Sequence, residues 1–339
     1  MKRLVSFYVV ISMLLCGCAS FVKQEQKQYT ATFLNLFDTV TTIVGFAGSE
    51  EEFEEISQKI HDDLEGYHHL FDIYNDYEGI NNLKTVNDQA GIAPVKVDKA
   101  VIDLLLDCRY YYEMTGGRVN AAMGSVLELW HEARNRGISN PDNAELPDMS
   151  ELEQAAGHIR FDEIVIDADA STVFIQDAEM SLDVGAVAKG WATQRVAEKA
   201  PAGLLISVGG NVCATGPKQG EHPWVIGIQN PDGGDYLHTI YVTGGCVVTS
   251  GDYQRTYMVN GEKYHHIIDP DTRMPAAYWR SVSIVCADSA LADALSTALF
   301  LLPLEEGKVL AARCGAEALW IDKEGNEIMT SGFESIIRT

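Results

Sequence analysis

Basic residues are scarce in this chain of 339: 25 lysines and arginines stand against 49 aspartates and glutamates, a formal charge of −24. A surface of that sign repels nucleic acid and anionic lipid, so neither is expected as a partner. It also makes an anionic small molecule hard to hold, so a site for one must carry its own local cation. Long apolar runs are missing too. The longest, Leu4 to Leu15, is a dozen residues, short of the roughly 18 or more needed to span a bilayer as a helix. Apart from Cys16 and Cys18, the cysteines (Cys108, Cys213, Cys246, Cys286 and Cys314) are widely separated and odd in number, with no C-x-x-C spacing. That argues against a zinc site or a disulfide framework and reads them as small buried hydrophobes. Internal repeats are absent, no linker divides the body, and strands and helices follow without regular β-α alternation. The expected class is therefore α+β, one compact unit over residues 31–339.

What is present begins at the N-terminus. Lys2 and Arg3 precede the apolar run, which ends in Leu15-Cys16-Gly17-Cys18. The run has the length of a signal-peptide core, and its end resembles a bacterial lipobox. Residues 1–17 are expected to be a lipoprotein signal peptide, Cys18 the lipidated residue, and 18–30 a polar, Gln-rich tether. That places the protein on the extracytoplasmic face of the cell membrane, held by its lipid.

Further along, residues 33–46 are β-branched and aromatic and predict a strand pair or one long strand. Ser49 with Glu52 predicts a capping box opening a helix, with Phe53, Ile56, Ile60, Leu64 and Phe71 on its buried face. Helices are expected over about 98–114, 121–136 (stopped by Gly137), 186–199, 289–302 and 304–314. A loop is expected over 137–150, a hairpin over 164–176, and strands over 204–208 and through 223–285.

Several stretches carry chemistry. In Ser181-Leu-Asp-Val-Gly-Ala-Val-Ala-Lys-Gly190 a strand is expected to end at Asp183, turn at Gly185 and enter a helix near Ala186. The free N–H groups of a helix start suit a phosphate, and Lys189 in its first turn calls for an anionic partner. An ordinary strand-turn-helix with a surface lysine would read the same. Ile206-Ser-Val-Gly-Gly-Asn211 and Val247-Val-Thr-Ser-Gly-Asp252 are apolar strands ending in glycine and small polar groups, the second with the donors of an anion nest. In His265-His-Ile-Ile-Asp-Pro270 a histidine beside a turn could be a general base or a satisfied structural residue. On the last long helix Asp293 and Thr297 share a face otherwise lined by Ala and Leu. A carboxylate there needs a partner, and with hydroxyl and carbonyl oxygens it makes a hard-oxygen set suited to Mg²⁺.

Taken in order, Asp-x-Gly-Ala-x-Ala-Lys-Gly, Ser-x-Gly-Gly-Asn, Thr-Ser-Gly, His-x-Ile-Asp-Pro and Ala-Asp-Ala-x-Ser-Thr resemble the ApbE-type flavin transferases, from about Phe33 to Gly332. Thr115-Gly-Gly-Arg-Val-Asn120 and Leu129-Trp130 extend the likeness. The resemblance implies a T-fold-like domain of mixed sheets and helices that moves FMN from FAD, with Mg²⁺, onto a Thr or Ser hydroxyl of an acceptor flavoprotein. It implies metal ligation by the Ala186 carbonyl, Asp293 and Thr297. FAD contacts fall on Tyr74, Arg118, Val119, Asn120, Asp183, Lys189 and Ile268, and the transfer base on His266; beside it, a change at His265 is expected to be nearly silent. Acceptors of the family include subunits of membrane redox complexes. Two departures stand out. Phe37-Asp38-Thr39 replaces Met-Gly-Thr at the first flavin contact, and Gly-Arg-Val-Asn replaces Gly-Ala-Phe-Asp, adding a charge at Arg118 and removing one at Asn120. Hydrolysis of FAD at the same site, or flavin binding without catalysis, remain open on these residues.

Overall fold

A computed structural model describes residues 26–338; the expected signal peptide and the expected lipidation site at Cys18 lie outside them. The chain opens with β1 (Lys27–Leu36) and β2 (Thr39–Ala47), then α1 (Glu50–Phe71) and α2 (Leu83–Asp88). β3 (Val95–Lys96) leads to α3 (Lys99–Met114), α4 (Gly124–Ser139) and α5 (Met149–Ala155). The hairpin of β4 (Ile164–Asp167) and β5 (Thr172–Ile175) precedes α6 (Ala188–Lys199). Next come β6 (Leu205–Val208), β7 (Asn211–Ala214), β8 (Trp224–Ile228), β9 (His238–Val242) and β10 (Gly245–Gly251). β11 (Tyr257–Val259), β12 (Glu262–Tyr264) and β13 (Trp279–Cys286) follow, then α7 (Ser289–Leu301), α8 (Leu304–Arg313), β14 (Glu317–Asp322), β15 (Glu327–Met329) and α9 (Ser331–Ser335).

The architecture is α+β. Eight strands form one sheet in the order β1-β2-β6-β7-β10-β13-β14-β15, every neighbouring pair antiparallel. α1, α6 and α7 pack on it; α7 is buried along almost its whole length, with Ala292, Ala294, Leu295, Ala298 and Leu299 at no measurable exposure. Small residues let α7 lie close to the sheet and to α6. Among the described residues no helix is long and apolar enough to cross a membrane.

Local rules explain most boundaries. Ser49 caps α1 by accepting the Glu52 N–H, while the Glu52 carboxylate takes the Gly48 N–H, one residue before the usual partner of a capping box. Phe53, Ile60, Leu64 and Phe71 face the core as expected; Ile56 is only half-buried. Four expectations need correction. Lys27 to Thr30, placed in the tether, already pair with β2. The helix placed at 121–136 begins at Gly124, because residues 121–123 form a turn bonded to the Ser181–Asp183 segment. It also runs through Gly137, which is there for space: a Cβ would meet the Tyr257 ring at 2.7 Å. Residues 181–184 are extended but belong to no strand, and the helix after them begins at Ala188. Helices α2, α5 and α9 are too short to leave a periodic signal.

Candidate functional site

One cavity of about 360 Å³ gathers the candidate metal, flavin-contact and base residues of the described chain: Phe37, Tyr74, Arg118, Val119, Asn120, Asp183, Ala186, Lys189, His266, Ile268, Asp293 and Thr297. They arrive from the β1–β2 turn, the segment after α1, the loop between α3 and α4, the approach to α6, the loop after β12, and α7.

The floor is built by the α6–α7 crossing. Asp293 is 5 % exposed, and its Oδ2 accepts the Gly190 N–H at 2.8 Å. The start of α6, expected to greet a ligand phosphate, is thus already met by the protein's own carboxylate. The crossing is close because residue 190 is glycine: a Cβ there would lie 2.4 Å from both Asp293 Cβ and the Ser289 carbonyl oxygen. Burial pushes the Asp293 pKa up, opposed by Lys189 and the Gly190 bond. Asn211 lies close enough to favour the charged form too, although its Nδ2 has no partner of normal hydrogen-bond geometry. Gly209 and Gly210, at φ +56° and +93°, make the two-residue turn that brings Asn211 in, and a Cβ on Gly209 would press on Thr39 at 2.7 Å.

The remaining oxygens decide whether a cation fits. Among the described residues Asp293 Oδ1, the Thr297 hydroxyl and the Ala186 carbonyl accept or donate no hydrogen bond, and no three His, Cys, Asp or Glu side chains converge. The donor set is one carboxylate, one hydroxyl and one carbonyl, with substrate oxygens to complete it, which fits Mg²⁺ rather than a softer ion. Among the described residues no carboxylate lies within ion-pair distance of Lys189; its Nζ reaches the Gly185 carbonyl at 3.3 Å. That is the local cation the acidic chain requires.

The tandem histidines differ in their surroundings. His265 is buried and doubly bonded: Nε2–H donates to the Ala276 carbonyl at 3.0 Å and Nδ1 accepts the Ile267 N–H at 3.2 Å. It is structural, so the expectation that a change there is nearly silent is corrected. His266 lines the cavity. Its Nδ1 must carry the hydrogen, since it faces the Gln254 carbonyl at 3.2 Å, and Nε2 keeps its lone pair. Part of the ring's area is open, but protein atoms crowd it; that desolvation, with Arg255 and Lys189 nearby, pushes its pKa down to about 3.

Around the rim, Tyr74 is 59 % exposed and its hydroxyl lies 2.9 Å from His131 Nδ1. Asp72 builds the bend that carries Tyr74. It accepts from the Tyr74 and Asn75 N–H groups, the Asn75 amide and the Tyr77 hydroxyl. Burial opposes its charge, yet those bonds hold the carboxyl below its usual range. Asp183 Oδ1 accepts the Gly185 N–H at 2.8 Å. Val119 and Ile268 are buried apolar wall. The charge that Arg118 adds is offset by Asp271 at 2.5 Å and Asp269 at 3.6 Å. Asn120 spends both ends of its amide on backbone, at Ile159 and Ala122. The Thr249-Ser250-Gly251 stretch is not a nest: it lies within β10, and its hydroxyls bond Ser283 and Ser296 at 2.8 Å each.

Sequence reasoning missed His68, Asp72, His131 and Arg255, which also line the cavity. His131 follows the noted Leu129-Trp130 directly; Arg255, at φ +46°, leaves no local signal.

The fold and site define a class that comparison with known proteins names. The ApbE family model matches residues 37–320. An FAD:protein FMN transferase of Treponema pallidum is 35 % identical over 277 residues, covering 76 % of this chain and 75 % of its own. One of Klebsiella pneumoniae is 31 % identical, covering 76 % and 81 %. The crystal structure of the ApbE protein of Thermotoga maritima superposes with a TM-score of 0.82 at 30 % identity, covering 92 % of this chain and all of that one. The flavin transferase ApbE of Vibrio cholerae shares the fold at a TM-score of 0.76 and 22 % identity. The chain belongs to the ApbE family.

Proposed function

We propose that this protein is an FAD:protein FMN transferase that joins FMN to a Thr or Ser hydroxyl of an acceptor flavoprotein and releases AMP. The observation that carries the reading is the meeting, in one cavity, of three hard oxygens, Lys189 and the His266 Nε2, all without a hydrogen-bonded side-chain partner among the described residues. Asp293, Thr297 and the Ala186 carbonyl would hold the cation. Bound there, Mg²⁺ would supply Lewis-acid charge to the pyrophosphate oxygens. Lys189 adds a second positive charge against the field of the acidic surface. Val119 and Ile268 provide apolar wall beside the rim residue Tyr74. His266 Nε2 takes the proton of the acceptor hydroxyl as its oxygen bonds the FMN phosphorus and the bond from that phosphorus to the bridging oxygen breaks. Arg255 and Lys189 depress the ring's basicity, so an anionic pyrophosphate beside them relieves that effect as substrate binds.

The test is to incubate the protein with FAD, Mg²⁺ and candidate acceptors and to weigh the acceptor. A mass gain of one FMN unit is expected, falling by about 10²–10⁴ in rate in His266→Ala with FAD affinity nearly unchanged. FAD cleaved to FMN and AMP with no gain in acceptor mass would overturn the reading in favour of hydrolysis.

We propose also that lipid on Cys18 holds the protein on the extracytoplasmic face of the membrane, where membrane redox subunits are within reach as acceptors. The support is the run from Lys2 to Cys18. Lipid labelling that persists in Cys18→Ser would end that part.

A further inference from the structure

The sheet under the α6–α7 crossing holds a row of thiols. Cys246 on β10 is in register with Cys213 on β7 on one side and with Cys286 on β13 on the other, so all three share a face. Cys213 and Cys246 are 4 % and 0 % exposed, and their Sγ atoms lie 2.7 Å apart. Carbon atoms, which are smaller than sulfur, rest in contact at about 3.5–4.0 Å, so two thiols at this separation repel and a covalent bond would remove the repulsion. Directly opposed residues on antiparallel strands have Cα atoms about 4.5–5.5 Å apart, inside the roughly 4.4–6.8 Å that a disulfide spans. Cys286 turns aside, its Sγ donating to the Asp288 carbonyl at 3.1 Å.

We propose that Cys213 and Cys246 are a disulfide-forming pair that fastens β7 to β10 beneath the substrate cavity. The place matters to the site. Asn211 lies two residues from Cys213 on the same face of β7, beside Asp293. Gln194 of α6, 3.9 Å from Cys246 Sγ, accepts the Ser289 N–H that starts α7.

The reaction needs an external oxidant, a low-molecular-weight disulfide such as oxidised glutathione. One thiolate attacks it and releases one thiol; the second protein thiolate then displaces the other. Two hydrogens leave the protein, one S–S bond forms, and the external disulfide is reduced to two thiols. Contact with Cys213 and burial both keep the Cys246 thiol protonated in the finished fold, and only thiolate reacts. The bond therefore closes while β7 and β10 pair during folding. It ties residues 33 apart, and the lost freedom of the unfolded chain corresponds to a melting temperature higher by about 5 °C or more.

The test is peptide mass mapping without reduction on the whole protein, refolded either in a glutathione redox buffer or with excess dithiothreitol. The same map on protein exported by cells, denatured in the presence of excess alkylating agent, needs no refolding. A peptide joining Cys213 to Cys246 is expected, with Cys108, Cys286 and Cys314 alkylated, an intact mass lower by two hydrogens, and the higher melting temperature in the oxidised form. Cys213→Ser should abolish the joined peptide and the shift, and Cys286→Ser should keep both. Cys108, Cys213, Cys246, Cys286 and Cys314 all alkylated in both the exported and the glutathione-refolded protein, or a bridge running through Cys286, would overturn the proposal.

Discussion

His265 ties the fold to pH in a way that can be measured. Its two hydrogen bonds require the neutral ring with the hydrogen on Nε2, because Nδ1 must accept from Ile267. Protonation would set an N–H against an N–H in a buried place. Desolvation therefore lowers its pKa from 6.5 to about 4, with Lys323 and Lys263 adding to the effect and Asp252 and the Ala276 carbonyl opposing it. The unfolded chain binds the proton near pH 6.5 and the folded one does not, so stability is fully present above that pH and is lost as the pH falls toward 4. Between pH 7 and pH 5 the loss is about 2 kcal/mol, from 1.36 kcal/mol per unit of pKa difference.

The perturbation that isolates this is His265→Gln. Glutamine offers an amide N–H for the Ala276 carbonyl and an oxygen for the Ile267 N–H, and it does not titrate. Chemical denaturation of both proteins at pH 5, 6, 7 and 8 gives two curves whose difference cancels the carboxylates common to both. The variant should gain on the wild type by about 2 kcal/mol on going from pH 7 to pH 5, whatever its offset at pH 7. Parallel curves would refute the assignment of a buried, neutral His265.

Three further outcomes follow from the site. Gly190→Ala places a methyl 2.4 Å from the Ser289 carbonyl, so it should cost about 1–3 kcal/mol of stability and displace Asp293, read as a lower melting temperature with loss of Mg²⁺-dependent transfer; a wild-type melting curve would contradict the close crossing. Asp38→Gly relieves a non-glycine residue at φ +53° and removes a carboxylate from the cavity mouth, so thermal unfolding should shift up by an amount equivalent to about 1 kcal/mol and FAD should bind more tightly; unchanged stability would argue that the turn is unstrained. Because kcat/KM reports the free enzyme and His266 there has a pKa pushed down to about 3, its plot against pH should show no inflection near 6.5 that His266→Ala removes.

Which parts of this molecule were legible follows from how far apart the interacting residues lie. A close backbone approach leaves a local mark: Gly209-Gly210 announces its turn, Ser49 with Glu52 announces a helix start, and the order of such marks led to the residues of one cavity. Two short apolar runs flanking residues 168–171 found the hairpin of β4 and β5 for the same reason. Contacts that are distant in sequence leave no such mark. Gly190 meets Asp293 across 103 positions and Arg118 meets Asp271 across 153. The first reassigns the start of α6 from the ligand to the protein's own carboxylate, and the second neutralises a charge that the sequence alone appeared to leave facing FAD. The histidine pair shows the same division at its smallest scale. Two adjacent, identical residues with the same local sequence signal differ because one ring points into the packing around Phe300 and the other into the cavity, a distinction set by the path of the loop after β12 and by neighbours from elsewhere in the chain. A ring that faces the cavity and a buried structural ring therefore stand side by side, and only the partners of their ring nitrogens tell them apart.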